Sequence, residues 1–133
     1  MRILIDTNVI LDVLLKRSPF YETAIEVLKL SARDDIQEFV SASAITDIYY
    51  IAYKNLRDKA AVRELLNVSV AGVSEEEIQK ALELEWNDFE DSVQYSVAAL
   101  NEMDGIITRN VKDYSSAEMQ VWEPAQFLEK TKC

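Results

Sequence analysis

Residues Arg2-Ile3-Leu4-Ile5 form an apolar run that breaks at Asp6-Thr7-Asn8 and resumes as Val9-Ile10-Leu11-Asp12-Val13-Leu14-Leu15. A short run of this kind, apolar without alternation, reads as a strand buried on both faces, the setting of a parallel sheet covered by helices. In such sheets ligands bind beyond the carboxyl ends of the strands, so an acid at position 6 is placed for chemistry as well as for capping the next helix. Asp47, Asp91 and Asp113 likewise fall at or just beyond expected strand ends or helix starts. Together with Asp6 they suggest one acidic, metal-binding pocket.

The rest of the chain alternates in the same way. Ser18 and Pro19 read as an N-cap and N1 pair, and Phe20, Ala24, Val27 and Leu28 at helical spacing predict a helix to about Ala32. A turn at Asp34 and Asp35 leads into a strand over 38–41, then a helix from Ser43 through Asp47, Tyr50, Ile51 and Lys54, and another over 58–66. The β-branched stretch 68–73 suits a third strand, and Ser74 with Glu77 makes a capping box for a helix carrying Ile78, Ala81 and Leu82. Asp88 caps a helix with the stripe Val93, Val97 and Leu100, Gly105 to Thr108 is a fourth strand, Met119 to Trp122 a candidate fifth, and Pro124 opens a terminal helix. This order implies an α/β fold with a mostly parallel sheet covered on both faces.

Length and charge narrow the function. At 133 residues and 49% hydrophobic composition the chain suits a single domain spanning 1–133. With no histidine anywhere, Ser-His-Asp and Cys-His catalysis and histidine-ligated metals are excluded. Any metal must be held by oxygen. The lone Cys133 cannot form an internal disulfide, the first residues enter a strand pattern without a basic leader or cleavage site, and no apolar run approaches a membrane span of roughly 20 residues. We therefore expect a cytoplasmic protein with no membrane partner. The net charge of −10 argues against a broad basic surface for nucleic acid.

Four segments taken together, Ile3-Leu4-Ile5-Asp6-Thr7-Asn8-Val9, Ser43-Ala44-Ile45-Thr46-Asp47-Ile48-Tyr49-Tyr50, Asp88-Phe89-Glu90-Asp91-Ser92-Val93-Gln94 and Ile107-Thr108-Arg109-Asn110-Val111-Lys112-Asp113-Tyr114, resemble the PIN domain family over essentially the whole chain. The resemblance implies a three-layer α/β/α sandwich with a five-stranded, mostly parallel sheet. It also implies a metal-dependent ribonuclease, in many members a VapC-type toxin, with three or four acids binding Mg²⁺ or Mn²⁺. Asp6 matches the first acid of the family and Asp91 the acid opening the helix before the Thr-containing strand. Asp47 stands where the family often has Glu. The usual last acid, two residues after the Thr, is here Asn110, with Asp113 three residues further as a substitute. Thr7, Asn8 and Thr108 resemble the polar residues that orient such a site.

That donor set suits phosphodiester hydrolysis, which needs an activated water and neutralisation of charge on phosphate oxygens, both within reach of a hard divalent cation. The expected function is cleavage of single-stranded RNA, with an antitoxin protein and a second copy of the chain as partners. The competing reading is a catalytically weakened PIN-like module that binds RNA or a protein, motivated by Asn110 and the acidic charge. A phosphotransfer domain fits worse, because a haloacid dehalogenase-like phosphatase requires an acid where this chain has Asn8. Each acid also has a plainer reading as a cap, turn or solvated helix residue. Tyr49, Tyr50 and Tyr53 are expected in the core or at a subunit interface, and Lys54, Arg57, Lys59 and Arg63 on a solvated helix face. Arg109 and Lys112, flanking the pocket, are better placed to meet RNA phosphate.

Overall fold

A computed structural model describes residues 1–57 and 68–132. Five strands, β1 (Arg2–Ile5), β2 (Gln37–Ser41), β3 (Ser69–Ala71), β4 (Gly105–Ile107) and β5 (Gln120–Trp122), form one sheet in the order β3-β2-β1-β4-β5 with every pairing parallel. Among the described residues there are six α-helices: α1 (Thr7–Leu14), α2 (Tyr21–Lys29), α3 (Ala42–Leu56), α4 (Glu75–Leu84), α5 (Phe89–Leu100) and α6 (Pro124–Lys130). Short 3₁₀ turns cover Leu30–Ala32 and Val111–Tyr114.

The double-sided burial expected of the first strand is realised. Ile3 and Ile5 enter a core formed with α1, α2, α3 and α6, while Leu4 between them enters the opposite core, under α4 and α5. This period-two split, repeated by Val40 against Phe39 and by Ile107 against Ile106, makes the three-layer α/β/α sandwich. At Gly105 a Cβ would come within 2.6 Å of the Gln120 carbonyl oxygen and within 2.4 Å of the Trp122 ring. Only glycine lets β5 lie this close to β4.

Local chemistry sets most helix starts. The capping box of Ser74 and Glu77 opens α4, and Asp88 caps α5 by accepting the Asp91 amide at 3.1 Å. Two starts differ from expectation. Helix α2 begins at Tyr21 rather than at Pro19, because the Arg17 carbonyl accepts the amides of both Phe20 (2.9 Å) and Tyr21 (2.8 Å) and leaves Ser18 nothing to cap. Helix α3 begins at Ala42, capped by Ser41, whose hydroxyl accepts the Ala44 amide at 3.3 Å. Leu82 and Leu100, expected on apolar faces, are exposed. The helix expected over 58–66 lies outside the described residues.

Glu38 is the anomaly of the sheet. By alternation with Phe39 it shares the face of Val40, opposite Ile3 in the register, and it is 2% exposed with neither carboxyl oxygen hydrogen-bonded among the described residues. Burial pushes its carboxyl up to about 8. The folded chain therefore holds a proton that the unfolded chain, with an ordinary value of 4.5, has released, so stability is greatest below 4.5 and is lost as pH rises towards about 8. Glu38→Gln should abolish this slope, worth up to about 1.4 kcal/mol per pH unit. Thermal melts of both proteins across that range should show the variant gaining on wild type only as pH rises, and parallel curves would refute the assignment.

Candidate functional site at the switch point of the sheet

Strand β1 has β2 on one side and β4 on the other, so the order of the sheet reverses at the β1–β4 boundary. Connections leave such a boundary in opposite directions and open a crevice at the carboxyl ends of the strands. Asp6 follows β1 and Thr108 follows β4, both at this crevice.

Asp6 is 5% exposed and its carboxylate is surrounded by donors. Oδ1 accepts the Thr7 amide at 2.7 Å and the Gln94 side-chain amide at 2.5 Å. Oδ2 accepts the Thr108 hydroxyl at 2.7 Å, with the Asn8 amide and the Tyr114 hydroxyl each at 3.4 Å. Burial raises the Asp6 pKa, and the hydrogen bonds from Thr108, Thr7, Gln94 and Tyr114 oppose that rise. Thr108 is itself saturated, accepting the Asn8 side-chain amide (3.3 Å) and the Asn110 backbone amide (3.0 Å). The Thr7 hydroxyl finds no hydrogen-bond partner among the described residues.

Asp91, in the first turn of α5, is joined to Asp6 by the Tyr114 hydroxyl, which lies 3.3 Å from Asp91 Oδ1. Desolvation, then the charges of Asp6 and Asp88, push the Asp91 carboxyl up to about 7. Glu90 beside it is raised by partial desolvation and by the charges of Asp47, Asp6 and Asp88. Tyr114 is held far above its ordinary range by burial and by Asp6 and Asp91.

The four sequence-derived acids thus share one electrostatic field but not equal intimacy. Asp6 and Asp91 are bridged through one hydroxyl. Asp113, exposed on the 3₁₀ turn, adds its charge to Asp91, whereas Asp47, exposed on α3, acts on Glu90. Asn110 reaches the site through its backbone amide, and its side chain is exposed. Among the described residues no three acids or thiols converge into a group that could hold a metal ion. Tyr114 stands between Asp6 and Asp91, and protein donors occupy the Asp6 carboxylate.

The structure also brings Gln94, Tyr114 and Glu90 to the candidate site and places Asp12 beside it, none of which the sequence singles out. Gln94 had a legible signal. Together with Ser92 and Ser96 it is a polar residue in a helix whose positions from Ser92 to Ala98 are all buried, and such groups need partners. Asp12 had a similar one, as the single acid inside the apolar run 9–15. It is fully buried and pairs with Arg109, which keeps partial solvent access. Lys112 is exposed. Tyr49 and Tyr50 lie at the surface of α3, and Tyr49 stacks on Tyr53 at 5.9 Å.

Comparison with known proteins agrees with this architecture. The chain is 26% identical over 137 residues to Ribonuclease VapC1 of Aquifex aeolicus, covering 97% of this chain and 94% of the relative. It superposes on a chain of a toxin–antitoxin complex from Klebsiella pneumoniae with a TM-score of 0.74 at 22% identity, covering 91% of this chain and 96% of that one. It also superposes on Mycobacterium tuberculosis VapC20, a Sarcin-Ricin loop cleaving toxin, with a TM-score of 0.62 at 15% identity, covering 78% and 86%. The PIN domain profile matches residues 2–112, a span that runs from β1 through the Thr108 loop, and the chain belongs to the PIN domain family.

Proposed function

We propose that this chain is a divalent-metal-dependent endoribonuclease that cleaves single-stranded RNA and serves as the toxin of a toxin–antitoxin pair. The observation that carries the reading is the buried Asp6 carboxylate at the switch point, coupled through Tyr114 to an Asp91 that retains its proton to about 7. The name of the Aquifex aeolicus relative and the toxins of like fold support ribonuclease activity and an antitoxin partner. The surface-exposed Tyr49 and Tyr50 of α3 support a homodimer, since exposed aromatic groups favour protein contact. On this reading the protein would act in the cytoplasm, where it would meet its RNA target.

The donor chemistry fits a hard cation. Every candidate ligand is a carboxylate oxygen, and the raised values of Asp91 and Glu90 record crowded negative charge that a cation relieves. Asp6 and Asp91, with Asp47 and Asp113, would hold Mg²⁺ or Mn²⁺. Such an ion supplies an activated water and neutralises developing charge on phosphate oxygens. The chain's own residues set the geometry: Gln94, Thr108, Asn8 and the Thr7 amide orient Asp6, and Tyr114 spaces Asp6 from Asp91. The weakened binding module remains the second reading, favoured by the absence of a three-acid group among the described residues and by the exposed Asn110.

RNA cleavage separates the two. Purified protein should cut single-stranded RNA with Mg²⁺ or Mn²⁺ and stop on chelation. Asp6→Asn and Asp91→Asn should each remove nearly all activity, and Gln94→Leu, which frees Asp6, roughly 10- to 100-fold. Undiminished cleavage by Asp6→Asn, or in excess chelator, sinks the mechanism. If Asp113 completes the acid set, Asp113→Asn should lower activity and Mn²⁺ affinity far more than Asn110→Ala. Equal, negligible effects would leave Asp6, Asp47 and Asp91.

Metal-free stability gives an independent readout. The Asp91 proton is held to about 7 in the folded chain against an ordinary 3.8, so its contribution is full below 3.8 and is lost as pH rises towards 7. Asp91→Asn should therefore raise the melting temperature of metal-free protein near neutral pH but not in acid. A cation binding only the folded chain should stabilise wild type by about 2.7 kcal/mol at a hundredfold excess over its dissociation constant, and Asp91→Asn much less. Melts with and without Mn²⁺ at fixed ionic strength test both signs. Equal Mn²⁺ shifts in the two proteins would remove Asp91 from the metal site.

A further inference from the structure

We propose that Asp12, Arg17 and Arg109 form a phosphate receptor at the rim of the crevice, in which the buried carboxylate positions two guanidinium groups against the backbone of a bound RNA strand. The inference rests on the ribonuclease reading above.

Asp12 is fully buried in α1, where a lone carboxylate is costly to desolvate. Its Oδ1 lies 2.9 Å from Arg17 Nε, and Arg109 Nη2 donates to it at 3.2 Å, while Arg109 Nε lies 2.6 Å from Oδ2. The two Nε contacts are ion pairs by distance without hydrogen-bond alignment. One guanidinium would neutralise Asp12. Two leave one excess positive charge, and both side chains keep solvent access, 38% for Arg17 and 26% for Arg109. No hydrogen bond among the described residues engages Nη1 of either arginine. An open guanidinium edge beside surplus charge is the geometry that takes phosphate oxygens.

The cluster is fixed to the acidic site. Arg17 Nη2 donates to the Asn8 carbonyl at 3.2 Å, the Arg109 amide donates to Asn8 Oδ1 at 3.2 Å, and the Asn8 side-chain amide reaches Asp6 and Thr108. The Arg109 guanidinium also lies 3.9 Å above the Phe20 ring, which restricts its swing. In a chain of net charge −10, with a carboxylate cluster that repels a polyanion, this is a local positive point next to the acids. It would set the register of the strand relative to Asp6, with Asp12 as a positioning residue that never meets RNA.

The test is the salt dependence of binding to a single-stranded oligonucleotide made uncleavable by 2′-O-methylation, followed by fluorescence anisotropy. Arg17→Gln and Arg109→Gln should each weaken binding several-fold and reduce the slope of log affinity against log salt by roughly 0.7, the signature of one lost phosphate contact on a single strand. Asp12→Asn should also weaken binding although it makes the protein more positive, the opposite of what net charge alone dictates. Should Asp12→Asn fail to fold, Arg109→Lys keeps the charge without the fork, and is expected to preserve the slope while lowering affinity. If wild type binds and cleaves RNA but both glutamine variants keep its slope, the receptor is overturned and the ribonuclease reading stands; the arginines would then suit a carboxylate of a protein partner. Tighter binding by folded Asp12→Asn overturns the positioning role. A wild type that neither binds nor cleaves RNA overturns both readings.

Discussion

The Asp6 carboxylate joins parts of the chain that are far apart in sequence. Its donors come from α1 (Thr7, Asn8), from the residue after β4 (Thr108), from the buried helix α5 (Gln94) and from the 3₁₀ turn that holds Tyr114. A carboxylate so far from water is tolerable only with such satisfaction, and removing one donor costs more than the bond itself is worth, because the remaining group stays buried. The hydrogen bonds that stabilise the ion also clamp β1 to β4 at the point where the sheet changes direction. Fold and site therefore depend on the same contacts.

Two opposite electrostatic environments meet there. On the side of α5, Asp91 and Glu90 are crowded by Asp6, Asp47 and Asp88, so protons are retained and a cation would be welcome. On the side of α1, Asp12 gathers Arg17 and Arg109 and leaves positive charge in excess. Asn8 touches both, with its amide on Asp6, its carbonyl oxygens on the arginine side. On the ribonuclease reading, this juxtaposition would meet the objection raised by net charge. An acidic protein can receive a polyanion where a few fixed cations and a bound metal outweigh the average.

Glu38 differs from these acids because nothing among the described residues compensates its burial. It stands in β2 with no donor to its carboxyl among the described residues, so desolvation alone governs it. Asp6 and Glu38 are nearly equally hidden, yet only Asp6 is embedded in hydrogen bonds. Burial by itself does not mark a site; convergent donors do.

The layered parallel sheet was legible in the sequence because Ile3, Leu4 and Ile5 are apolar at consecutive positions in a run too short for a helix, which suits a strand covered on both faces. The caps at Ser74 and Asp88 were legible for an equally local reason, since a side chain satisfies an amide two or three residues away. The start of α2 was not, because a backbone carbonyl took over the capping that Ser18 was expected to supply. Asp6 and Asp91 could be singled out as candidates by their positions after β1 and at the head of α5. Their linkage through Tyr114, the clamp from Gln94 and the pairing of Arg109 with Asp12 join residues 23, 88 and 97 positions apart in the chain. No local pattern encodes such pairings. The order of apolar and polar residues determined which elements form and which faces they bury, whereas the crossover from β3 to β4, which sets β4 beside β1, decided which polar groups meet, because hydrogen bonds and ion pairs act over a few ångströms in space and are indifferent to separation along the chain.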